Sequence, residues 1–238
     1  MKICVFAYNF PHFKTQQGLV NLSFNFQKPD LIIAQNYKDL KIKNSKVKVT
    51  PKYSYLMHPI FLARKLKIDY IVEDHNNCVS ILSKENFDIG IILGARILSK
   101  KIIDTFKIGI VNLHPGIIPF NRGLDNIKWA IKDNLPQCVT SHFIDERIDL
   151  GHIIKHEIIN VDQNDTLVDI FVNVQSVEQR LLIESLESLK RNHKTWVPTS
   201  KGKYNKCMVK DEEESMLECF SNYKKNYNKI VEDFLTSI

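Results

Sequence analysis

No stretch of this 238-residue sequence comes near the roughly 18 to 20 consecutive apolar residues that a bilayer-spanning helix needs, so no membrane span is expected. A secretory leader is not expected either, because the opening MKICVFAY is a short strand-like segment followed at once by polar residues. The sequence therefore predicts a soluble, cytoplasmic protein that does not bind a membrane.

Cysteine pairs and concentrated basic charge are also missing. The five cysteines stand far apart with no CxxC pair, so we expect neither a disulfide framework nor a metal site. The formal net charge of +6 is scattered along the chain, unlike the basic face of a protein that binds nucleic acid. A modest positive charge fits an anionic small-molecule partner, such as a phosphorylated compound.

Internal repeats and low-complexity tracts are absent as well. The length suits one medium-sized α/β domain with a short appendage. Apolar periodicity weakens after residue 191 and returns only late in the chain. We therefore predict a main domain over 1–191 and a C-terminal extension over 192–238, which packs on the domain or mediates dimerisation.

Seven short apolar segments rich in β-branched residues have the length of strands: 2–8, 30–35, 68–74, 87–94, 108–114, 138–145 and 152–161. The first five are apolar throughout, and segments with helical spacing separate several of them. This alternation is typical of a parallel sheet covered on both faces. The predicted fold is α/β, with a Rossmann-like, doubly wound, mostly parallel sheet.

Helical spacing is most regular in DTLVDIFVNVQSVEQRLLIESLESL, where Asp165 or Thr166 is a candidate N-cap. A shorter helix is predicted over GLDNIKWAIKDNL, residues 123–135. Late apolar periodicity at 216–235 predicts further helix in the C-terminal extension.

Polar residues follow the fifth predicted strand in VNLHPGIIPFNRG, residues 111–123. Asn112 and His114 alternate along an extended chain, so their side chains point to the same face. They lie at the carboxyl end of a strand, which is where open α/β sheets bind ligands. Pro115 and Gly123 bound a stiff loop that follows them.

A second polar set comes from Thr140 and His142, which alternate along the next strand, and from Asp149 and Gly151 in the turn after it. Each feature alone has an ordinary explanation, since histidines cap strands and turns collect Asp and Gly. Together they form an ordered pattern, N-x-H-P-x3-P-x3-G followed by T-x-H-x6-D-x-G.

The combined pattern resembles the formyltransferase fold family over roughly residues 68 to 160. That family uses N10-formyltetrahydrofolate and includes glycinamide ribonucleotide transformylase, methionyl-tRNA formyltransferase and the nucleotide-linked amino-sugar N-formyltransferases. The resemblance implies that Asn112, His114 and Asp149 are catalytic and that no metal is needed. Asn112 and a protonated His114 would stabilise the oxyanion of a tetrahedral intermediate, at about 3 to 4 kcal/mol per donor, while Asp149 orients His114 and relays a proton.

The same resemblance implies a folate site. The segment GARILSKKII, 94–103, would line the pterin pocket partly through backbone groups, and the loop 144–151 would close over the ring. The implied cofactor-binding residues are Gly94, Arg96, Ile97, Leu98, Thr140, His142, Asp145 and Ile148.

Two features that the sequence lacks restrict the candidate acceptors of the formyl group. The first strand runs into AYNFPHFKTQQGLVNL without the clustered glycines that bind the phosphate of glycinamide ribonucleotide. The segment 192–238 is too short for a tRNA-binding barrel, and its KDEEES is acidic. The resemblance then implies a dTDP-linked dideoxy amino sugar and surface polysaccharide synthesis, with a purine-pathway enzyme or a non-catalytic folate- or nucleotide-binding module as alternatives.

Polar residues near the strand ends are the candidates for the acceptor site. Asn9, Lys14, His75 and Asn76 are predicted to border the diphosphate; Asn121 and Arg122, with Pro115 and Gly116, are predicted to border the sugar. Two alternatives stay open: Asn76 or Asn77 caps the following helix, and Arg122 is a solvated loop charge. A homodimer is expected, because the family's sugar enzymes are commonly dimers.

Overall fold

The computed structural model describes residues 1–39, 47, 49–52, 55–191 and 194–237. Its centre is a seven-stranded sheet with strand order β3-β2-β1-β4-β5-β7-β8. The strands are β1 (Ile3–Tyr8), β2 (Leu31–Gln35), β3 (Asp69–Val72), β4 (Ile89–Ile92), β5 (Gly109–His114), β7 (Cys138–Phe143) and β8 (Ile153–Ile158). Each lies inside one of the seven predicted segments.

Strands β1 to β5 pair in parallel, and β7 and β8 continue the sheet in antiparallel orientation. The strand order reverses between β1 and β4, so the carboxyl ends of these strands and of β5 form the ligand-binding edge of such a sheet. The predicted mostly parallel, doubly wound α/β fold is confirmed.

Helices cover both faces of this sheet. They are α1 (Phe13–Asn25), α2 (Pro59–Leu66), α3 (Val79–Glu85), α4 (Lys100–Ile103), α5 (Asn126–Lys132), α6 (Leu167–Lys190), α7 (Lys210–Lys225) and α8 (Tyr227–Ser237). One core cluster joins α1, α2 and α6 to odd-numbered positions of β1, such as Val5. The other joins α3 and α4 to even-numbered positions, such as Phe6. No helix in the described ranges is long and apolar enough to cross a membrane.

The long helix α6 begins as its sequence predicts. Thr166 is the N-cap and forms a capping box with Asp169, each side chain bonding the other's backbone N–H. Helix α1, in contrast, was not predicted, because it lacks a side-chain cap and leaves Val20 and Phe24 exposed at 38% and 74%. Its buried face, mainly Leu19 and Leu22, is too narrow to stand out in the sequence.

The C-terminal segment, taken as residues 194–237, packs on the rest of the chain. A short strand, β9 (Tyr204–Asn205), pairs in parallel with β6 (Arg122–Gly123). The predicted periodicity at 216–235 falls in two helices, α7 and α8, whose residues Met216, Tyr223 and Tyr227 lie in the main core. Lys128 of α5 and Glu213 of α7 form a buried ion pair at 2.8 Å.

Candidate active site

The pairing of β5 with β7 brings four polar side chains to one face of the sheet. Asn112 lies directly opposite His142, and His114 lies opposite Thr140. Residues two apart on a strand share a face, so all four project to the same side. The sequence predicted each pair separately, and the antiparallel register joins them.

Asn112 is oriented by His142. Nδ1 of His142 lies 3.1 Å from the carbonyl oxygen of Phe143, which only accepts, so Nδ1 carries the proton and Nε2 is bare. The amide nitrogen of Asn112 therefore donates to Nε2, at 3.2 Å. Burial, with a further contribution from the nearby His114, lowers the pKa of His142 to about 4 and keeps it neutral near pH 7.

His114 is held by the loop that follows it. Its Nε2 donates to the carbonyl oxygen of Asn121 at 2.9 Å, and its Nδ1 lies 3.7 Å from Oδ1 of Asp149. Because Nε2 is engaged by an acceptor, the neutral ring has a bare Nδ1 facing the carboxylate. Any hydrogen bond from His114 to an oxyanion would thus have to come from Nδ1. The oxyanion-stabilising role predicted for His114 therefore requires a proton on Nδ1.

Asp149 reaches this position through an unusual backbone geometry. It adopts a left-handed conformation with φ of 51° and accepts from the Gly123 N–H at 3.0 Å. Gly151 is required just after it, since a Cβ there would collide with the carbonyl oxygen of Phe143. Asn112, His114 and Asp149 are therefore brought together, and their catalytic roles remain a prediction.

Thr140 does not face a ligand. It is fully buried, donates to the carbonyl oxygen of Gly116 at 2.6 Å and accepts from the Ile118 N–H at 3.2 Å. The predicted cofactor contact is wrong for Thr140, whose side chain pins the 115–119 loop. His142 is also fully buried, so it acts on Asn112 and not on a cofactor surface.

Gly116 is buried, and its place is set by packing. A Cβ at 116 would lie 2.5 Å from the carbonyl oxygen of Asn121 and 2.9 Å from Nε2 of His114. A side chain would thus break the hydrogen bond that holds His114. Gly116 and its partly exposed neighbour Pro115 shape the loop beside the site. That either residue contacts the sugar remains a prediction.

The segment 94–98 lies at the ends of β1 and β4. Asn76 brackets it, accepting from the Ser99 N–H at 2.7 Å and donating to the carbonyl oxygen of Ile97 at 3.2 Å. Asn76 was predicted to border the diphosphate or to cap a helix. Its side chain supports the segment predicted to hold the pterin, and its contact with a diphosphate remains a prediction.

Within that segment only some predicted contacts are accessible. Ile97 is 69% exposed, whereas Leu98 is 5% exposed and belongs to the core. Gly94 is buried against Tyr8, and Arg96 donates to the carbonyl oxygen of Lys38 at 2.8 Å. A side-chain contact of Leu98 with a ligand is therefore excluded in this conformation.

Residues 144–151 form the loop beside Asp149. Asp145 is paired with Arg147, whose Nε donates to it at 3.0 Å. Ile148 is 39% exposed, and Ile144 packs on the same core cluster as Ala95. The predicted pterin-closing loop and the 94–98 segment thus border the same core cluster, and closure of the loop over a ring remains a prediction.

The side chains of Lys14 and His75 are both engaged by other groups of the protein. Nζ of Lys14 donates to Glu178 at 2.9 Å and to the carbonyl oxygen of Leu113 at 2.8 Å. His75 is 1% exposed, and its Nε2 lies near the carbonyl oxygens of Ala7 and Ile33. Lys14 contacts the end of β5, and its predicted contact with a diphosphate remains a prediction. His75 links β1 to β2 and is buried, so the predicted contact is wrong for His75.

Asn9 lies directly after β1, at the ligand edge of the sheet, and both ends of its side-chain amide are hydrogen-bonded within the protein. Its Oδ1 accepts from the Tyr70 hydroxyl at 2.7 Å, and its Nδ2 donates to Asn36 at 2.7 Å. It is partly exposed, so the predicted contact with a diphosphate remains a prediction.

Asn121 and Arg122 were predicted to border the sugar, yet both are buried. Asn121 is fully buried, and Arg122 is 8% exposed, donating to the carbonyl oxygen of Ile148 at 2.8 Å and stacking on Tyr204 at 5.8 Å. Burial lowers the pKa of Arg122, and nearby Asp149 opposes that shift. The sugar contact of Asn121 is wrong, and Arg122 is not a solvated loop charge.

Asn205 and Tyr204 are site-supporting residues that sequence reasoning missed. They lie among lysines, in a two-residue strand with no periodicity, and meet their partners from more than 80 residues away. No local signal could have identified them. The described residues contain no cluster of three or more His, Cys, Asp or Glu that could hold a metal ion.

A mostly parallel α/β sheet with an amide, an imidazole and a carboxylate near its ligand edge is the architecture of a Rossmann-like protein, and these groups are able to donate and accept protons. The sequence profile of the formyl transferase family matches residues 44–186, which is more than half of the chain. The chain belongs to the formyl transferase family.

Curated relatives match over part of the chain. A methionyl-tRNA formyltransferase from Natranaerobius thermophilus is 32% identical over 101 residues, which cover 42% of this chain and 32% of that protein. The trifunctional purine biosynthetic protein adenosine-3 from Chironomus tentans is 34% identical over 100 residues, 41% of this chain and 7% of that protein. The match to the first relative spans about a third of its length.

Solved structures share the fold over most of the chain. A 4-N formyltransferase from Francisella tularensis has a TM-score of 0.62 at 19% identity, covering 90% of this chain and 86% of its own. The N-formyltransferase from Helicobacter canadensis, solved with folinic acid and dTDP-3-aminofucose, has a TM-score of 0.61 at 20% identity, covering 92% and 80%. Phosphoribosylglycinamide formyltransferase from Bacillus halodurans has a TM-score of 0.61 at 21% identity, covering 79% and 95%.

Proposed function

We propose that this protein transfers a formyl group from N10-formyltetrahydrofolate to the amino group of a nucleotide-linked dideoxy amino sugar, with dTDP as the nucleotide. The product would serve surface polysaccharide synthesis, such as that of lipopolysaccharide. The observation that carries the proposal is the meeting of Asn112, His114 and Asp149 at the carboxyl edge of the sheet, with His114 3.7 Å from Asp149.

The chemistry follows from the hydrogen bonds of these side chains. One N–H of the Asn112 amide is used by His142, which leaves the other to donate to the formyl oxygen as negative charge gathers there. The bare Nδ1 of His114 accepts the proton that the attacking amine loses, and Asp149 stabilises the resulting imidazolium. That proton then goes to N10 as its bond to the formyl carbon breaks, releasing tetrahydrofolate.

The proposed binding site for the formyl donor would accommodate the flat pterin ring of the folate against apolar side chains. Ile97 in the 94–98 segment and Ile148 in the 144–151 loop are both exposed and would supply such surface. Asn76 and the Tyr8 hydroxyl, which donates to the carbonyl oxygen of Ala95 at 2.9 Å, fix the backbone of the 94–98 segment. N10-formyltetrahydrofolate supplies the activated one-carbon unit, and the residues named here orient it.

Two observations support an amino-sugar acceptor. The structures from Francisella tularensis and Helicobacter canadensis are covered over 86% and 80% of their length, and the matches take in 90% and 92% of this chain. The connection from β1 to α1 contains Phe10 stacked on Tyr8 at 5.0 Å, where a glycine-rich phosphate loop would need open backbone. Identity with methionyl-tRNA formyltransferases, 32% over 101 residues, makes a tRNA acceptor the competing function.

The test is a panel assay of tetrahydrofolate release. Purified protein is given N10-formyltetrahydrofolate with dTDP-linked 3-amino and 4-amino sugars, GDP-linked amino sugars, glycinamide ribonucleotide or methionyl-tRNA. We expect release to depend on one dTDP-linked amino sugar. Turnover with methionyl-tRNA or glycinamide ribonucleotide alone would replace the proposed acceptor, and no turnover with any acceptor would favour a binding module.

A further inference from the structure

Asn205, on the strand β9 of the C-terminal segment, lies two hydrogen bonds away from the ring of His114. Its side-chain amide donates to Oδ1 of Asn121 at 2.9 Å, and the main-chain carbonyl oxygen of Asn121 accepts from Nε2 of His114 at 2.9 Å. The three residues are 2%, 0% and 3% exposed. Solvent therefore cannot replace a lost partner without rearrangement of the loop.

Which amide group donates in each of these hydrogen bonds follows from neighbouring carbonyl oxygens, which can only accept. Nδ2 of Asn121 lies 2.8 Å from the carbonyl oxygen of Asn126, so this end of the amide is the donor. Oδ1 of Asn121 must then face Asn205, which has to present an N–H group. The geometry requires an amide at 205, and a carboxylate there would place two acceptors face to face.

The backbone of β9 aims this amide inward. Arg122 N–H donates to the carbonyl oxygen of Lys203 at 3.1 Å, and Leu124 N–H donates to that of Asn205 at 3.0 Å. Gly123 has a positive φ of 92°, and a Cβ there would collide with the Asn205 carbonyl oxygen. Close docking of β9 on β6 thus depends on the glycine that ends the 115–123 loop.

We propose that Asn205 is a positioning residue for His114. Through Asn121 it holds the carbonyl that keeps the proton of the neutral imidazole on Nε2, and it thereby keeps Nδ1 bare toward Asp149. The C-terminal segment is then part of the site and not only a packing or dimerisation element. The inference rests on the proposed function in one respect only, namely that Nδ1 of His114 accepts the proton that the attacking amine loses.

The direct test reads the His114 tautomer by nitrogen NMR of protein labelled with 15N at its histidines. The His114 signals are assigned by their loss in His114→Gln. In the wild type at pH 7.5 we expect the proton on Nε2. In Asn205→Asp, which keeps the shape of the side chain, and in Asn205→Ala, the Nδ1–H form should become several-fold more populated.

Met208→Ala is the matched control, because Met208 is 5% exposed in the same segment and packs in the main core. It should lower stability yet leave the His114 spectrum unchanged. A wild-type proton on Nδ1, an unchanged spectrum in Asn205→Asp, or an equal change in Met208→Ala would overturn the inference. The spectrum is taken without substrate, so it decides this point even if no acceptor is formylated.

Kinetics give a second readout once the acceptor is known. Asn205→Ala should lower kcat about tenfold, as removal of an orienting hydrogen bond commonly does, and leave KM for the acceptor within about twofold. A rise in KM at unchanged kcat would contradict a positioning role. Met208→Ala should change neither constant.

Discussion

At the scale of single residues, Asn112 and His114 owe their arrangement to β-sheet alternation, and the sequence made this predictable. Their partners were not all predictable. Polar loop residues such as Asn121 are normally solvated, whereas this one is fully buried and bonded to Asn205, 84 residues further on. A residue's role in this site therefore depends on which distant side chain reaches it.

Asn112 offers the simplest test of charge stabilisation. Asn112→Ala removes the amide that donates to the developing oxyanion, so kcat should fall about 10²- to 10³-fold with KM little changed. Steady-state kinetics of formyl transfer give the answer. Asn164→Ala, at an exposed asparagine away from the site, is the control and should keep full activity. A kcat within twofold of wild type for Asn112→Ala would remove its proposed role.

His142 predicts a pH dependence of stability. Burial lowers its pKa to about 4 in the folded protein, below the ordinary value of 6.5. As pH falls from about 6.5 to about 4, the unfolded chain binds a proton that the folded protein does not, so the free energy of unfolding decreases. The pKa values of His12 and His156 are also lowered to about 4 and act in the same direction.

Urea unfolding across pH 4 to 8 measures this effect. His142→Asn should flatten the slope between pH 6.5 and 4 by up to about 1.4 kcal/mol per pH unit, the value for one proton. Above pH 7 the two proteins should run parallel. An unchanged slope in the acidic range would show that His142 protonates in the fold.

At the scale of elements, strongly patterned segments were predictable and weakly patterned ones were not. Helix α6 has both an apolar face and a capping box, so its start was found to within one residue. Helix α1 has neither a cap nor a wide apolar face, and strands β6 and β9 are two residues long. Tertiary contacts, which a local pattern cannot show, stabilise these elements.

Thr166 tests the capping of α6. Thr166→Ala removes the side chain that accepts from the Asp169 N–H, so the free energy of unfolding should fall by about 1 kcal/mol. Denaturant unfolding at pH 7 measures it. Asp165→Ala, at the alternative candidate for the cap, should cost less, because its carboxylate bonds the Asp162 N–H outside the helix. The reverse order would place the cap at Asp165.

At the scale of the whole molecule, the boundary predicted at residue 191 and the homodimer both stay predictions. The described part of the C-terminal segment shares the main core through Met216, Tyr223 and Tyr227, each at most 2% exposed. The sequence indicated helices there without indicating what they cover. Their partners include Lys128 of α5 and Gln137 just before β7, and only the assembled fold brings these together.

Truncation after residue 191 tests this packing. Removing α7 and α8 would expose the part of the core that Met216, Tyr223 and Tyr227 cover. It would also remove Glu213, the ion-pair partner of Lys128. We expect a chain with no cooperative thermal transition, whereas truncation after Leu235 should unfold like the full chain. Light scattering of the full chain measures its oligomeric state directly. A truncated monomer that unfolds cooperatively near the wild-type Tm would show that 192–238 is a separate appendage.

The central claim is that one amide, one imidazole and one carboxylate at the edge of this sheet transfer a formyl group to an amine on a sugar. Mass spectrometry of the acceptor after incubation with N10-formyltetrahydrofolate labelled in its formyl carbon tests this most directly. We expect a dTDP-linked amino sugar carrying the label on its amino nitrogen with wild-type protein, and at least a hundredfold less with His114→Gln. Equal labelling by His114→Gln, or no labelled sugar with wild type, would contradict it.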